Sequence, residues 1–250
     1  GFMLEGTEES DQLKGTSGDD VLVGTEGNDV FIGGGGDDTM DGAGGDDLFL
    51  IEGRRQGRDR IIGGAGFDTI SGGAGDDRIT LTELLVSDSI ELIDGGPGLN
   101  TITGTGGANT LDFSGTELRA IAAIDGRGGQ DQIIGSAGDD VIIGGAGRDT
   151  LSGGRGNDTY VFGAGEGRDI IDNADADPAS LDILQLADLD HHQVWLSRRR
   201  DHLVLNIAGS TDRVLIKDWY VKAESQLDAI YAGGHVLMRD QVDRLVSAMA

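Results

Sequence analysis

Aspartates recur at intervals of nine in this 250-residue chain: Asp20, Asp29, Asp38 and Asp47, and again Asp131, Asp140, Asp149 and Asp158. Each stands sixth in a line with glycine at its head, a second glycine fourth in most lines, and a large apolar residue eighth. From Gly15 to Leu50 the lines read GTSGDDVLV, GTEGNDVFI, GGGGDDTMD and GAGGDDLFL, with Leu22, Phe31, Met40 and Phe49 eighth. Carboxylates at fixed spacing beside glycine-rich turns present hard oxygen ligands, which is the chemistry of a divalent cation. With four histidines and no cysteine, the donor set suits calcium better than zinc or copper. Magnesium prefers to keep its waters and fits worse. We therefore expect several calcium ions held by Asp11, Asp20, Asp29, Asp38, Asp47, Asp59, Asp68, Asp77, Asp131, Asp140, Asp149, Asp158 and Asp169. Turn carbonyls complete the expected ligand set, among them those of Gly33, Gly35, Gly42, Gly63, Gly72, Gly144 and Gly153.

One copy has simple physics. Six residues rich in glycine make a tight turn, where positive φ is needed and a Cβ would clash. The next three form a short strand with one side chain pointing inward. Turn plus strand reverses the chain, so two copies close a coil and strands two copies apart stack in parallel at ~4.8 Å. Two carboxylates at that spacing repel by roughly 3.5 kcal/mol at an effective dielectric of ~20. A cation between them and the turn carbonyls reverses that sign. A single buried side chain per copy, worth ~1.5–3 kcal/mol, does not offset the ~1–2 kcal/mol per residue needed to order nine residues. The repeats are therefore expected to fold with calcium and to lose structure without it.

Along the chain the template fits about fifteen times. Strong arrays span 6–80 and 126–172, and a weaker pair spans 95–112 with Asn100 and Asn109 in the aspartate column. The register slips by three after Leu50, and insertions occupy 81–94 and 113–125, each ending on an apolar strand-like piece. Asp19, Asp37, Asp46, Asp76 and Asp139, just before the column, read as solvated charge.

Charge and glycine divide the chain near Asp177-Pro178. Residues 179–250 hold 10 acidic and 8 basic residues and 3 of the 45 glycines, so nearly all of the net charge of −26 lies in 1–178. Such a polyanion repels nucleic acid and anionic membrane. No apolar run approaches the ~18 residues of a spanning helix. Beyond 178, the stretches 181–186, 193–197, 202–207 and 212–220 alternate apolar and polar residues, as half-buried antiparallel strands do. From Asp240, the N-cap candidate, Val242, Leu245, Val246 and Met249 share one face of an expected helix. This region reads as a cap over an open solenoid end, with Trp195, Trp219, Tyr220 and Tyr231 among the side chains available for a small core of its own.

The nonapeptide resembles the consensus of the RTX, or haemolysin-type calcium-binding, family. GNDTYVFGAGEGRDIIDNAD (156–175), DHLVLNIAGSTDRVLIKDWY and the closing VDRLVSAMA resemble the C-terminal flank of RTX toxins, adenylate cyclase toxins included, and of RTX adhesins. The resemblance implies an all-β fold: a right-handed parallel β-roll over 1–178, a β-rich cap over 179–250 and a short terminal helix. It also implies a larger protein, secreted or held at a Gram-negative cell surface through type I secretion machinery. Its partners would be that machinery and upstream domains, and the start at Gly1-Phe2-Met3 fits a piece of a longer chain.

No HExxH, GxSxG, Walker A or cysteine–histidine pair is present, so no enzyme is expected within this chain. His191-His192 read as surface residues, and Arg198-Arg199-Arg200 as a strand-turn face. The expected function is a monomeric calcium-triggered folding and secretion module. Two alternatives stand beside it: a module binding a cell surface or glycan, and the end of an exported enzyme whose active site lies upstream.

Overall fold

The computed structural model describes every residue except Arg55, 175–178 and Ala250, so the expected junction at Asp177-Pro178 lies outside the described residues. The chain is an all-β parallel solenoid with one α-helix among the described residues, Val242–Met249. It divides into two compact units, Gly1–Thr105 with Asn109–Ile124, and Gly106–Ala108 with Asp125–Ala250.

In the first unit successive copies alternate between two sheets, as two copies per coil require. One sheet orders Met3–Glu5, Val21–Val23, Thr39–Gly44, Asp59–Ala65, Arg78–Glu83 and Asn100–Thr103, all parallel. The other orders Gln12–Lys14, Val30–Ile32, Leu48–Leu50, Thr69–Ser71, Leu92–Asp94 and Glu117–Arg119, also parallel. Register follows the eighth position: Leu13 faces Phe31, then Phe49, Ile70 and Ile93 in turn. All five are buried, and the Phe31 and Phe49 rings stack with centroids 4.7 Å apart. A strand turned by one residue would expose this buried set.

The irregular stretches are absorbed by the coils. The slip after Leu50 is absorbed before the next strand begins at Asp59, and Phe49 still pairs with Ile70. A bulge at Asp59/Arg60 adjusts the neighbouring ladder, as one extra residue in a strand does. Both insertions supply solenoid strands, Leu92–Asp94 and Glu117–Arg119. The first is also clamped: Arg60 donates to both oxygens of buried Asp88, at 2.8 and 2.6 Å.

In the second unit Val141–Ile143, Thr159–Phe162, Ile183–Leu186 and Ala229–Ala232 stack in parallel. Gln132–Ile134, Thr150–Ser152, Arg168–Ile171 and Arg213–Ile216 do the same. This corrects the antiparallel expectation for 181–186, whose strand is parallel to both neighbours; that of 212–220 is parallel to Arg168–Ile171 on one side and antiparallel, as expected, to His202–Ile207 on the other. Alternation of apolar and polar residues is the same for either direction; only the connection decides it. Antiparallel pairing joins His202–Ile207 to Val194–Arg199 and to Arg213–Ile216, and His235–Met238 to Ala229–Ala232.

Trp219 is buried, and its carbonyl accepts from Gln226 at 2.7 Å, whereas Trp195 is 54% exposed and adds little to the core. Arg198 lies 4.2 Å over the Tyr220 ring and donates to the Arg200 carbonyl, so the arginine run forms a hairpin corner. Asp240 is not the helix N-cap. It sits inside a 3-10 turn, Arg239–Gln241, where Gln241 accepts from the Met238 N–H at 3.2 Å. Val242 is buried but Leu245 is 37% exposed, so the expected apolar face is only partly covered.

Candidate metal centre

Most aspartates of the sixth column form ladders, accepting through one oxygen a backbone N–H from the preceding coil, in most cases that of the coil's own column residue. In the first unit Asp20 takes the Phe2 N–H, Asp38 that of Asp20 and Asp59 that of Asp38, at 2.8, 2.8 and 3.1 Å. A second ladder runs from Asp11 through Asp29, Asp47 and Asp68, at 2.8, 2.8 and 2.9 Å, and ends on Glu91 at 2.8 Å. Asp77 donates its N–H to Asn100 Oδ1 at 2.9 Å. In the second unit Asp149 takes the Asp131 N–H at 2.8 Å and Asp169 that of Asp149 at 3.0 Å. Asp158 takes that of Asp140, Asp182 that of Asp158 and Asp228 that of Asp182, at 3.0, 3.0 and 3.1 Å. The column aspartates are buried, apart from half-exposed Asp11.

In Asp38, Asp47, Asp68 and Asp149 one oxygen is thus spent on the backbone, and the second oxygen is the one available to a ligand. Asp38, Asp47, Asp68 and Asp149 each bury an Oδ2 with no hydrogen-bond partner. A buried anionic oxygen without a donor costs several kcal/mol. The glycine heading each copy is packed against this oxygen. A Cβ at Gly72 would lie 2.9 Å from Asp77 Oδ2 and 2.5 Å from the Gly95 carbonyl, and one at Gly33 would lie 2.5 Å from Asp38 Oδ2. Gly42, Gly63, Gly144 and Gly153 likewise face Asp47, Asp68, Asp149 and Asp158. The Gly35 N–H donates to the Thr16 carbonyl at 2.9 Å, which leaves its own carbonyl uncommitted by that bond. These cradles bring carboxylate and carbonyl oxygens to one place and no nitrogen or sulfur, which is the donor set of calcium.

Electrostatics point the same way. Burial, then the charges of Asp68, Asp29 and Asp46, push the Asp47 carboxyl up to about 7. Burial and then Asp38 push Asp59 up to about 7, and burial and then Glu91 push Asp68 up to about 6. Burial, followed by Asp149 and Glu166, pushes Asp169 up to about 8. Held in this fold without a counter-charge, these groups favour protons near neutrality. A proton answers one oxygen; a divalent cation answers several at once. The residues present fit calcium.

Four acidic residues absent from the expected set belong here. Glu91, Asp182 and Asp228 extend the ladders, and Glu166 buries an unpartnered Oε2 near Asp149 and Asp169. The first three keep an acid-x-apolar pattern with Ile93, Leu184 and Ile230, all buried. That half-motif was the available signal, once the glycine turn before it had been lost. The fifth-column aspartates are exposed, as expected, but they are also organised. Asp19, Asp37, Asp46, Asp76 and Asp139 accept the N–H of residues 37, 58, 67, 99 and 157 at 2.8–3.1 Å, an outer ladder running the opposite way. Among the described residues, Asp190, His191 and His192 bring ligand atoms within 4.8 Å. Asp190 there already accepts the His192 N–H at 2.9 Å, closing a 3-10 turn.

Two comparisons with known proteins bear on this geometry. The family profile of the RTX calcium-binding nonapeptide repeat, in four copies, matches residues 5–49, 55–82, 87–115 and 125–160. Among solved structures, the extracellular lipase LipA from Serratia marcescens is similar over 84% of this chain at 18% identity, with a TM-score of 0.26. The chain spans 36% of that lipase.

Proposed function

Because the chain belongs to the RTX calcium-binding nonapeptide repeat family, we propose that it is the calcium-triggered folding and type I secretion module of a larger extracellular protein. The observation that carries this reading is the set of buried Oδ2 atoms on Asp38, Asp47, Asp68 and Asp149. They make the folded coils unfavourable in the absence of a counter-charge. Calcium, when bound, supplies positive charge shared between those oxygens and the turn carbonyls. Where free calcium is scarce, like charge along both edges keeps the coils apart, and the chain stays extended enough to be threaded through a secretion channel. Extracellular calcium near the millimolar range, where extracellular modules bind, removes that repulsion, and each closed coil templates the next. Folding on the outer side then opposes return of the chain.

The proposal gives this chain no reaction of its own. Activity, and any surface or glycan ligand, would belong to the parent protein or to domains upstream. The likeness of residues 156–175 and 201–220 to the flank of adenylate cyclase toxins supports the secretion part of this reading. The test is a calcium titration followed by circular dichroism and sedimentation. We expect a monomer that gains strand signal and compacts steeply as calcium rises, and reverses in chelator. Unchanged strand content in excess chelator would sink the proposal.

A further inference from the structure

The turns are of two kinds, distinguished by whether the second residue of the nonapeptide donates to the aspartate four residues on. Gly73 closes its turn through N–H alone, 2.8 Å from Asp77 Oδ2, and Thr25 reaches Asp29 Oδ2 only through N–H, at 3.4 Å, its hydroxyl going to the Thr7 carbonyl. Three other turns close through both groups of a Thr or Ser. Thr16 donates to Asp20 Oδ2 through N–H and hydroxyl, at 2.6 and 2.7 Å. Thr7 does the same to Asp11 at 2.6 and 2.9 Å, and Ser136 to Asp140 at 2.7 and 2.9 Å. Where the second residue is Gly or Ala in the copies of Asp38, Asp47, Asp68 and Asp149, the backbone takes positive φ: 100° at Gly34, 68° at Ala43, 108° at Gly64 and 84° at Gly145. No donor reaches Oδ2 of those four aspartates. Ala43 takes this conformation against the steric preference of a residue with a Cβ.

Asn100 shows how the open form can be closed without an ion. Gly96, second in its copy, has φ 70°. The Asn100 amide nitrogen donates to the carbonyls of Gly96 and Ala120, at 2.8 and 3.1 Å. An amide donor thus answers carbonyl oxygens next to the position that carries an acid in the open turns. Near the end of the repeats Asn173 acts similarly, donating its amide to Asp182 Oδ2 at 2.9 Å while accepting from the buried Tyr160 hydroxyl at 2.8 Å.

We propose that the backbone conformation at the second residue of each nonapeptide, positive φ or not, decides whether its turn takes calcium, and that the Asn100 turn is closed by its own amide in place of an ion. Open turns with an acid, those of Asp38, Asp47, Asp68 and Asp149, are the binding turns. Those of Asp11, Asp20, Asp77 and Asp140 are self-closed, so the chain takes fewer ions than it has aspartate copies. This rests on the calcium-binding reading above.

The experiment counts bound calcium on the full chain by native mass spectrometry, with isothermal titration as a second measure. Asn100→Asp is expected to gain one ion, because a carboxylate facing two carbonyls lacks the amide donors. Ala43→Thr is expected to lose one ion by closing its turn on Asp47, whereas Ala43→Gly keeps the count. Should Ala43→Thr fail to fold, Asn100→Asp and Ala43→Gly still decide. A parent chain that binds calcium with counts unchanged in Asn100→Asp and Ala43→Thr overturns this inference and leaves the calcium reading intact. A parent chain that binds no calcium overturns both.

Discussion

At the scale of the residue, the chain uses one carboxylate oxygen for architecture and leaves the other for the cation. Asp47 illustrates the division: Oδ1 accepts the Asp29 N–H at 2.8 Å, and Oδ2 is buried without a partner. Asp47→Asn should keep the first contact and weaken the second. We expect it to reduce calcium-dependent stabilisation by about 2–3 kcal/mol, the linkage at ~100 times the dissociation constant, measured by urea melts in saturating calcium. The raised carboxyls also set a pH response in the metal-free chain. Asp47, Asp59, Asp68 and Asp169 have folded values of about 7, 7, 6 and 8, all above the ordinary 3.8. An acid raised on folding destabilises the fold as pH climbs above its unfolded value, and the loss is complete above the folded one. In chelator, therefore, residual structure should increase as pH falls from 8 towards 4.5, followed by circular dichroism. A signal flat over that window would contradict the burial of these groups. Asp11 and Asp20 respond differently. The Thr7 N–H, then its hydroxyl, hold Asp11 below the usual range. At Asp20 burial pulls upward but is outweighed by the Thr16 hydroxyl and the Thr16 and Phe2 N–H groups.

At the scale of the element, a three-residue strand contributes one core side chain, and its stability depends on its neighbours. Phe49 is fully buried between Phe31 and Ile70 in the same ladder. Phe49→Ala should cost about 3–5 kcal/mol in saturating calcium, and Val21→Ala, at a 39% exposed position, within about 0.5 kcal/mol. Chemical denaturation of both variants checks the contrast; equal losses would mean that the strands do not point as described. The turns are as demanding as the strands. At Gly126 an added Cβ would lie 2.6 Å from the Gly144 carbonyl and 2.8 Å from Asp131 Oδ2. Gly126→Ala should therefore raise the calcium needed for folding several-fold.

At the scale of the whole molecule, the stacked sheets end in segments of ordinary composition. Ile183–Leu186 and Arg213–Ile216 lie directly on the last repeat strands, and antiparallel strands then follow at the margins. An uncovered parallel edge invites pairing with another chain. Deleting 179–250 should abolish reversible calcium-dependent folding and give aggregates on calcium addition, seen by light scattering. Trp219→Ala, which removes a buried ring, should move in the same direction with a smaller effect. Normal monomeric folding of 1–172 with calcium would show that the end segments are dispensable.

Much of this was legible in the sequence because a nine-residue period couples composition to geometry. Glycine marks where a side chain has no room, aspartate where an oxygen is wanted, and the eighth residue where the core lies. Leu13, Phe31, Phe49, Ile70 and Ile102 are buried as that logic requires. The tertiary structure decided what the period could not carry. Glu91, Asp182 and Asp228 enter the ladders only because their strands stack on earlier ones, at sequence separations of 23, 24 and 46 residues. Direction was hidden too, since alternation in 181–186 and 212–220 is the same for parallel and antiparallel pairing. Whether an aspartate is free or self-closed depends on the φ of the residue four before it and on donors from another coil. The sequence by itself determined what is bound and where the core runs, because those follow from residue type at a fixed spacing. Only the tertiary structure decided which carboxylates lack a partner, because that depends on what neighbouring coils bring to them.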